Sequence, residues 1–231
     1  MIHKVKKIFK ILRYLPHTIY FNFHYLPFSH AIKLPIYLYK PKFVKCKGKI
    51  ILDSHNIKCG MIELGFNHNH AYPNSGIIWE NNGGNVIFRG KTQIGNNSSI
   101  CIGKNAQVSF GDNFSATTTF KLINWYKIHF GDNVCFGWDN LVLDTSFHRL
   151  TNINGEKHRS YGPITISHNT WIATRCIILA NTETQPYTVV ATNSLLSKKY
   201  EKEYVMLAGS PAKIIQEGVW RNPDDDKITY E

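Results

Sequence analysis

The chain has 231 residues, 43% of them hydrophobic and 19% charged, enough for one large domain and too apolar for a disordered one. Its formal net charge of +11 points to an anionic partner such as a phosphorylated cofactor, an anionic glycan or a membrane surface. No nucleic-acid-binding motif is present, no stretch is long and apolar enough to span a bilayer, and the five cysteines show neither a CxxC pair nor zinc-ligand spacing. That cysteine usage predicts reduced thiols in a cytoplasmic protein without a metal site.

Residues 1–46 read as a basic, aromatic extension. Val5, Ile8, Phe9 and Leu12 recur at helical spacing, with Lys4, Lys6, Lys7, Lys10 and Arg13 between them. This predicts an amphipathic helix that lies on an anionic membrane, on its own domain or on a neighbouring subunit. Pro27, Pro35 and Pro41 then break an aromatic stretch into one or two helices and an extended entry.

Residues 47–215 read as the main domain and residues 216–231 as a C-terminal tail, whose acidic part, Asn222 to Glu231, is expected to fray. A unit recurs in the domain: an apolar residue, a small residue, two polar residues, then a small or apolar one. It appears as Ile94-Gly95-Asn96-Asn97-Ser98, Phe110-Gly111-Asp112-Asn113-Phe114, Phe130-Gly131-Asp132-Asn133-Val134 and Ile166-Ser167-His168-Asn169-Thr170. Apolar residues step by six from Ile166 to Ile172 to Ile178, and by eighteen from Ile172 to Val190 and from Ile178 to Leu196. Six is not a multiple of 3.6, so this period cannot line one helix face. It suits a chain that turns a corner after each short strand, three corners to a coil, with successive coils stacked as a parallel β-solenoid. The small residue is expected to turn the backbone, Gly by adopting a positive φ, with Asn and Asp serving the same end. Steps of eight from Ile94 to Ile102 and from Ile102 to Phe110 predict wider corners there, and before about Phe88 the register is weak.

The hexads stop between Val142 and Ile166. A solenoid accommodates an insertion as a loop leaving a corner, and such loops carry function. The insertion, placed at 148–162, holds His148 at its start and His158 within it; Asp144 lies four residues before His148. Asp144 either orients an imidazole or acceptor, or caps backbone amides at the corner.

Segment 163–176, PITISHNTWIATRC, and the ending AGSPAKII at 208–215, together with the hexads, resemble the hexapeptide-repeat acyltransferases. The nearest branch is that of galactoside- and maltose-type acetyltransferases and the O-acetyltransferases of capsule and O-antigen sugars. The resemblance covers roughly residues 85–215. It implies a left-handed parallel β-helix, a homotrimer, and acetyl-CoA in a groove between two subunits. It makes His148 the general base for a sugar hydroxyl, near neutral pH and without a covalent acyl-enzyme. Trp171, Ala173, Thr174, Ala191 and Thr192 match positions along the pantetheine arm; Ser197, Lys198 and Lys213 match positions near the nucleotide phosphates. The family's acceptor Asn is absent: Thr117-Thr118-Thr119 stand there, leaving Thr117, Thr119, Trp125 and Trp138 as acceptor candidates. The usual Pro-Gly after the third hexad is replaced by Ala180-Asn181. Three functions follow: O-acetylation of a bacterial surface glycan or its precursor; N-acylation of an amino sugar or modification of a drug; or a non-catalytic binding solenoid.

Overall fold

The computed structural model describes residues 2–67 and 71–223, and for residues 2–7 the backbone alone. Three helices come first: α1 (Ile2–Arg13), α2 (Leu15–Tyr25) and α3 (Phe28–Ala31). The first coil holds β1 (Ile36–Leu38), β2 (Pro41–Cys46) and β3 (Lys49–Leu52), and the second β4 (Ile62–Phe66), β5 (Ile77–Asn81) and β6 (Asn85–Phe88). The third has β7 (Thr92–Gly95), β8 (Ser98–Ile102) and β9 (Gln107–Phe110), and the fourth β10 (Phe114–Thr118), β11 (Lys121–Asn124) and β12 (Lys127–Phe130). The fifth has β13 (Cys135–Trp138), β14 (Leu141–Leu143) and β15 (Ile164–Ile166). Six further strands finish the stack: β16 (Trp171–Ile172), β17 (Ile177–Leu179), β18 (Val189–Val190), β19 (Leu195–Leu196), β20 (Val205–Gly209) and β21 (Ala212–Glu217).

The strands form three parallel sheets, here faces A, B and C. Face A runs from β1 to β20 and ends on antiparallel β21; face B runs from β2 to β19; face C runs from β3 to β15. Each face sends aligned residues of successive strands to a common interior. Leu38, Leu64, Ile94, Ala116, Phe136, Ile172, Val190 and Leu207 form the stack of face A, and all are buried. On face C, Phe88, Phe110 and Phe130 stack with centroids 5.2 and 5.4 Å apart. Such vertical repetition of like side chains is what the six-residue period encodes.

The solenoid starts at Ile36, not at residue 47, because β1 and β2 already pair with the second coil. The Ile94-to-Ile102 step also resolves differently. Ile100, six residues after Ile94, takes the interior position opposite Leu122, and β8 simply runs on to Ile102. The corner chemistry departs from expectation as well. Asn113, Asn133, Asn169 and Asn193 adopt φ of 55–59°, the left-handed region that Asn tolerates. Gly111 and Gly131 do not have positive φ; a Cβ on Gly111 would overlap the backbone of Gly131, and one on Gly131 would overlap that of His168. Asn turns the corner, and Gly lets successive coils approach.

Helix α2 seats its side chains on the open edge of the first coil. Asn22 Nδ2 donates to the Ile36 carbonyl (2.7 Å), Asn22 Oδ1 accepts from the Ile36 N–H (3.1 Å), and Thr18 Oγ1 accepts from the Leu38 N–H (3.2 Å). These side chains replace the missing neighbouring strand of β1, whose backbone groups would otherwise be buried unpaired. No described helix is long and apolar enough to cross a membrane.

Candidate active site

Where face A turns into face B, the outward residues at the ends of successive strands are small. Thr117, Gly137, Ala173 and Ala191 occupy equivalent places in four successive coils. A Cβ on Gly137 would lie 3.1 Å from the Ala173 carbonyl carbon, tighter than ordinary contact, so glycine lets these two coils approach without displacing a neighbour. Beside this row runs a groove of about 450 Å³. It gathers Trp171, Ala173, Thr174 and Thr192, four of the positions matched to the donor, with Thr117 and Trp138, two of the acceptor candidates. Arg221, whose guanidinium lies 5.8 Å over the Trp171 ring, lines the same groove and was not singled out from sequence.

At the opposite edge of face B the chain leaves the stack after Leu143 and rejoins it at Ile164. The excursion is an ordered hairpin, with antiparallel bridges Thr145–Tyr161 and Thr151–Lys157. At its root Asp144 is fully buried. It accepts from the Trp125 N–H (2.6 Å), the Tyr126 N–H (2.8 Å) and Asn124 Nδ2 (2.7 Å). Burial raises its carboxyl above the ordinary value, and the hydrogen bonds oppose that rise. The geometry gives Asp144 the corner-capping role, the second of its two sequence readings. Its effect reaches the loop through Trp125, whose ring meets Phe147 edge-on at 4.9 Å.

Phe147 has φ of 59°, an uncommon conformation for an aromatic residue. Thr145 Oγ1 accepts from its N–H (3.0 Å), and Ser146 Oγ donates to the His148 carbonyl (2.8 Å). His148 follows this braced turn with its side chain exposed. His158 is exposed on the returning strand, its N–H donating to the Leu150 carbonyl (2.8 Å). Arg159 stacks over Tyr161 at 4.1 Å and Tyr126 at 4.6 Å. With Thr145, Ser146, Asn181 and Ser197 it lines a cavity of about 270 Å³ at the foot of the hairpin. Arg159 gives no sequence signal, because its aromatic partner Tyr126 belongs to the coil before.

The sequence-matched residues therefore divide. Ser197 lies at the hairpin edge, away from the groove, and Lys198 is exposed beside it, over the Tyr200 ring at 5.7 Å. Ala191 continues the small row one coil on; Lys213 is exposed on β21. Thr119 and Trp125 do not join Thr117 and Trp138. Thr119 accepts from Asn97 Nδ2 (2.9 Å) and lines a separate cavity with Lys42 and Lys121, and Trp125 braces the hairpin. Among the described residues no group of three or more His, Cys, Asp or Glu is placed to hold a metal ion.

No family model matches the chain. Over 115 residues it is 28% identical to the galactoside O-acetyltransferase of Escherichia coli strain K12, covering 48% of this chain and 55% of that protein. A solved structure of the polySia-specific acetyltransferase NeuO superposes with a TM-score of 0.54 at 19% identity, over 81% of this chain and 75% of that one. The chain is thus similar in sequence to a galactoside O-acetyltransferase and in fold to a polySia-specific acetyltransferase. Its coil has the left-handed parallel β-helix fold of the superposed structure. The match covers only about half the length of the curated relative. A hexapeptide-repeat acetyltransferase from Vibrio cholerae O1 biovar eltor, solved with acetyl-CoA, aligns over 48% of this chain and 60% of that one (21% identity, TM-score 0.42).

Proposed function

We propose that this protein is an acetyl-CoA-dependent O-acetyltransferase acting on a sugar hydroxyl of a bacterial surface polysaccharide or its precursor. The observation that carries the reading is the groove: it collects Trp171, Ala173, Thr174 and Thr192 along a row of residues small enough to admit a thioester arm. The matched relative is itself a galactoside O-acetyltransferase.

His148 takes the proton from the sugar hydroxyl as its oxygen attacks the thioester carbonyl, a contribution of roughly 10²–10⁴ in rate. The C–O bond forms, the oxyanion collapses, the C–S bond breaks, and the imidazolium returns the proton to the CoA thiolate. An acetyl ester and free CoA result, with no covalent acyl-enzyme. Proximity in a ternary complex supplies much of the remaining acceleration.

The donor groove and His148 lie at opposite edges of face B, so the reading requires a second copy of the chain to join them. Face B turns Leu141, Ile177 and Leu195 outward in one row, and Leu143 and Leu179 in the next. Aliphatic side chains on the outside of a solenoid suit a subunit contact, which supports the homotrimer. A CoA donor and free cysteines support a reaction on the cytoplasmic side.

The test is CoA release from acetyl-CoA across a panel of mono- and oligosaccharides, by wild type and His148→Ala. Acceptor-dependent release by wild type is expected to fall roughly 10²–10⁴-fold in the variant, while calorimetry shows acetyl-CoA affinity retained. Full turnover by His148→Ala would move the base to His158. Failure of wild type to bind acetyl-CoA would leave a non-catalytic solenoid.

A further inference from the structure

The net charge of this protein is not spread over it. Eleven of its 27 Lys and Arg residues, and none of its 16 Asp and Glu residues, precede Asp53. The remaining residues carry sixteen of each sign, so the entire +11 belongs to the first 52 residues. In the fold these residues are α1, α2, α3 and the first coil, one end of the solenoid.

The same end is apolar on its outside. Ten of the 22 large apolar side chains exposed among the described residues precede Asp53. On α1, Ile8, Phe9 and Leu12 form one stripe. On α2, Thr18, Phe21, Asn22 and Tyr25 face the first coil, Ile19 and Phe23 face away from it, and Tyr20, half exposed, flanks Phe43 of β2. Phe28 and Ile32, around α3, are 70% and 61% exposed. A helix that is apolar on both faces has a second surface to cover.

We propose that this end of the solenoid docks on an anionic lipid surface, with the aromatic and aliphatic side chains entering the headgroup region and Arg13, Lys33 and the lysines of the first coil facing the phosphates. Charge selects this occupant. A second copy docking through the same end would bring two strongly basic, acid-free surfaces together. An anionic bilayer supplies both the negative charge and the apolar layer that this surface calls for. Lys4, Lys6 and Lys7 add to the charge of α1; their side chains lie outside the described residues. The proposal is independent of catalysis.

The experiment is flotation of the full chain with phosphatidylcholine vesicles, and with vesicles in which about one-third of the lipid is phosphatidylglycerol. Co-flotation with the anionic vesicles alone, abolished by high salt, is expected. Arg13→Glu/Lys33→Glu should weaken partitioning by on the order of tenfold or more. Phe9→Ser/Phe28→Ser should weaken it comparably, with circular dichroism and melting temperature unchanged for these exposed sites. Flotation with neither vesicle would overturn the proposal and assign the surface to an acidic protein partner. Equal flotation with both, or retention by the charge-reversed variant, would overturn the role of charge.

Discussion

At the A-to-B edge the coils from the third onward repeat one another, whereas at the B-to-C edge the fifth coil leaves the stack between Leu143 and Ile164. The first edge opens its groove by what is missing: Gly137 and Ala173 have almost no side chain, and Trp138, Trp171 and Arg221 stand around them. The second is built from what projects: Trp125, Phe147, Tyr126, Tyr161 and Arg159 brace one another beside His148. Repetition is good at making a track along which an extended ligand lies. Interruption is good at placing one reactive group.

If that division holds, the two edges fail differently. The largest effect on stability should come from Asp144→Ala. It leaves the Trp125 and Tyr126 N–H groups and the Asn124 amide without their acceptor in a buried corner, a loss of about 3 kcal/mol. Turnover should fall with it while acetyl-CoA affinity holds, and Asp144→Asn should restore part of both; a fall in affinity equal to the fall in turnover would erase the distinction between the edges. Ala173→Leu should show the reverse pattern. Its added volume enters the groove, so acetyl-CoA affinity measured by calorimetry should drop about tenfold with the melting temperature little changed. Face C contributes no strand residue to the groove or to the hairpin cavity, and His129 there supplies the control. Burial and the neighbouring Arg89 hold its imidazole below the usual 6.5. A depressed folded pKa gives stability that is present above 6.5 and lost as pH falls through the folded value. Melting curves should therefore lose about a degree or two on acidification, His129→Gln should remove that loss, and turnover at neutral pH should not change.

The solenoid was legible wherever a corner is spelled Gly-Asp-Asn or its equivalent, from about Ile94 onward, because the left-handed Asn and the close-packed Gly both leave marks in sequence. The first two coils use Leu34, Lys40 and several glycines at their positive-φ positions, so their register was hidden and the domain boundary was placed eleven residues late. The division of the candidate site was hidden for another reason. Thr117 and Thr119, two residues apart, fall in different cavities, and Trp125 and Trp138 belong to different edges. A six-residue period says that a residue points outward; which corner it reaches depends on strand lengths that vary from two residues to six.

A stack of identical coils has no intrinsic length. Each exposed backbone edge is a template for another strand, so the same rule that builds the domain would let copies add end to end into a filament. Asn22 and Thr18 occupy the first edge with side-chain donors and acceptors, and β21 runs antiparallel across the last one. These two stops make the solenoid a discrete particle, and removing the amide of Asn22 would expose one end of a polymer.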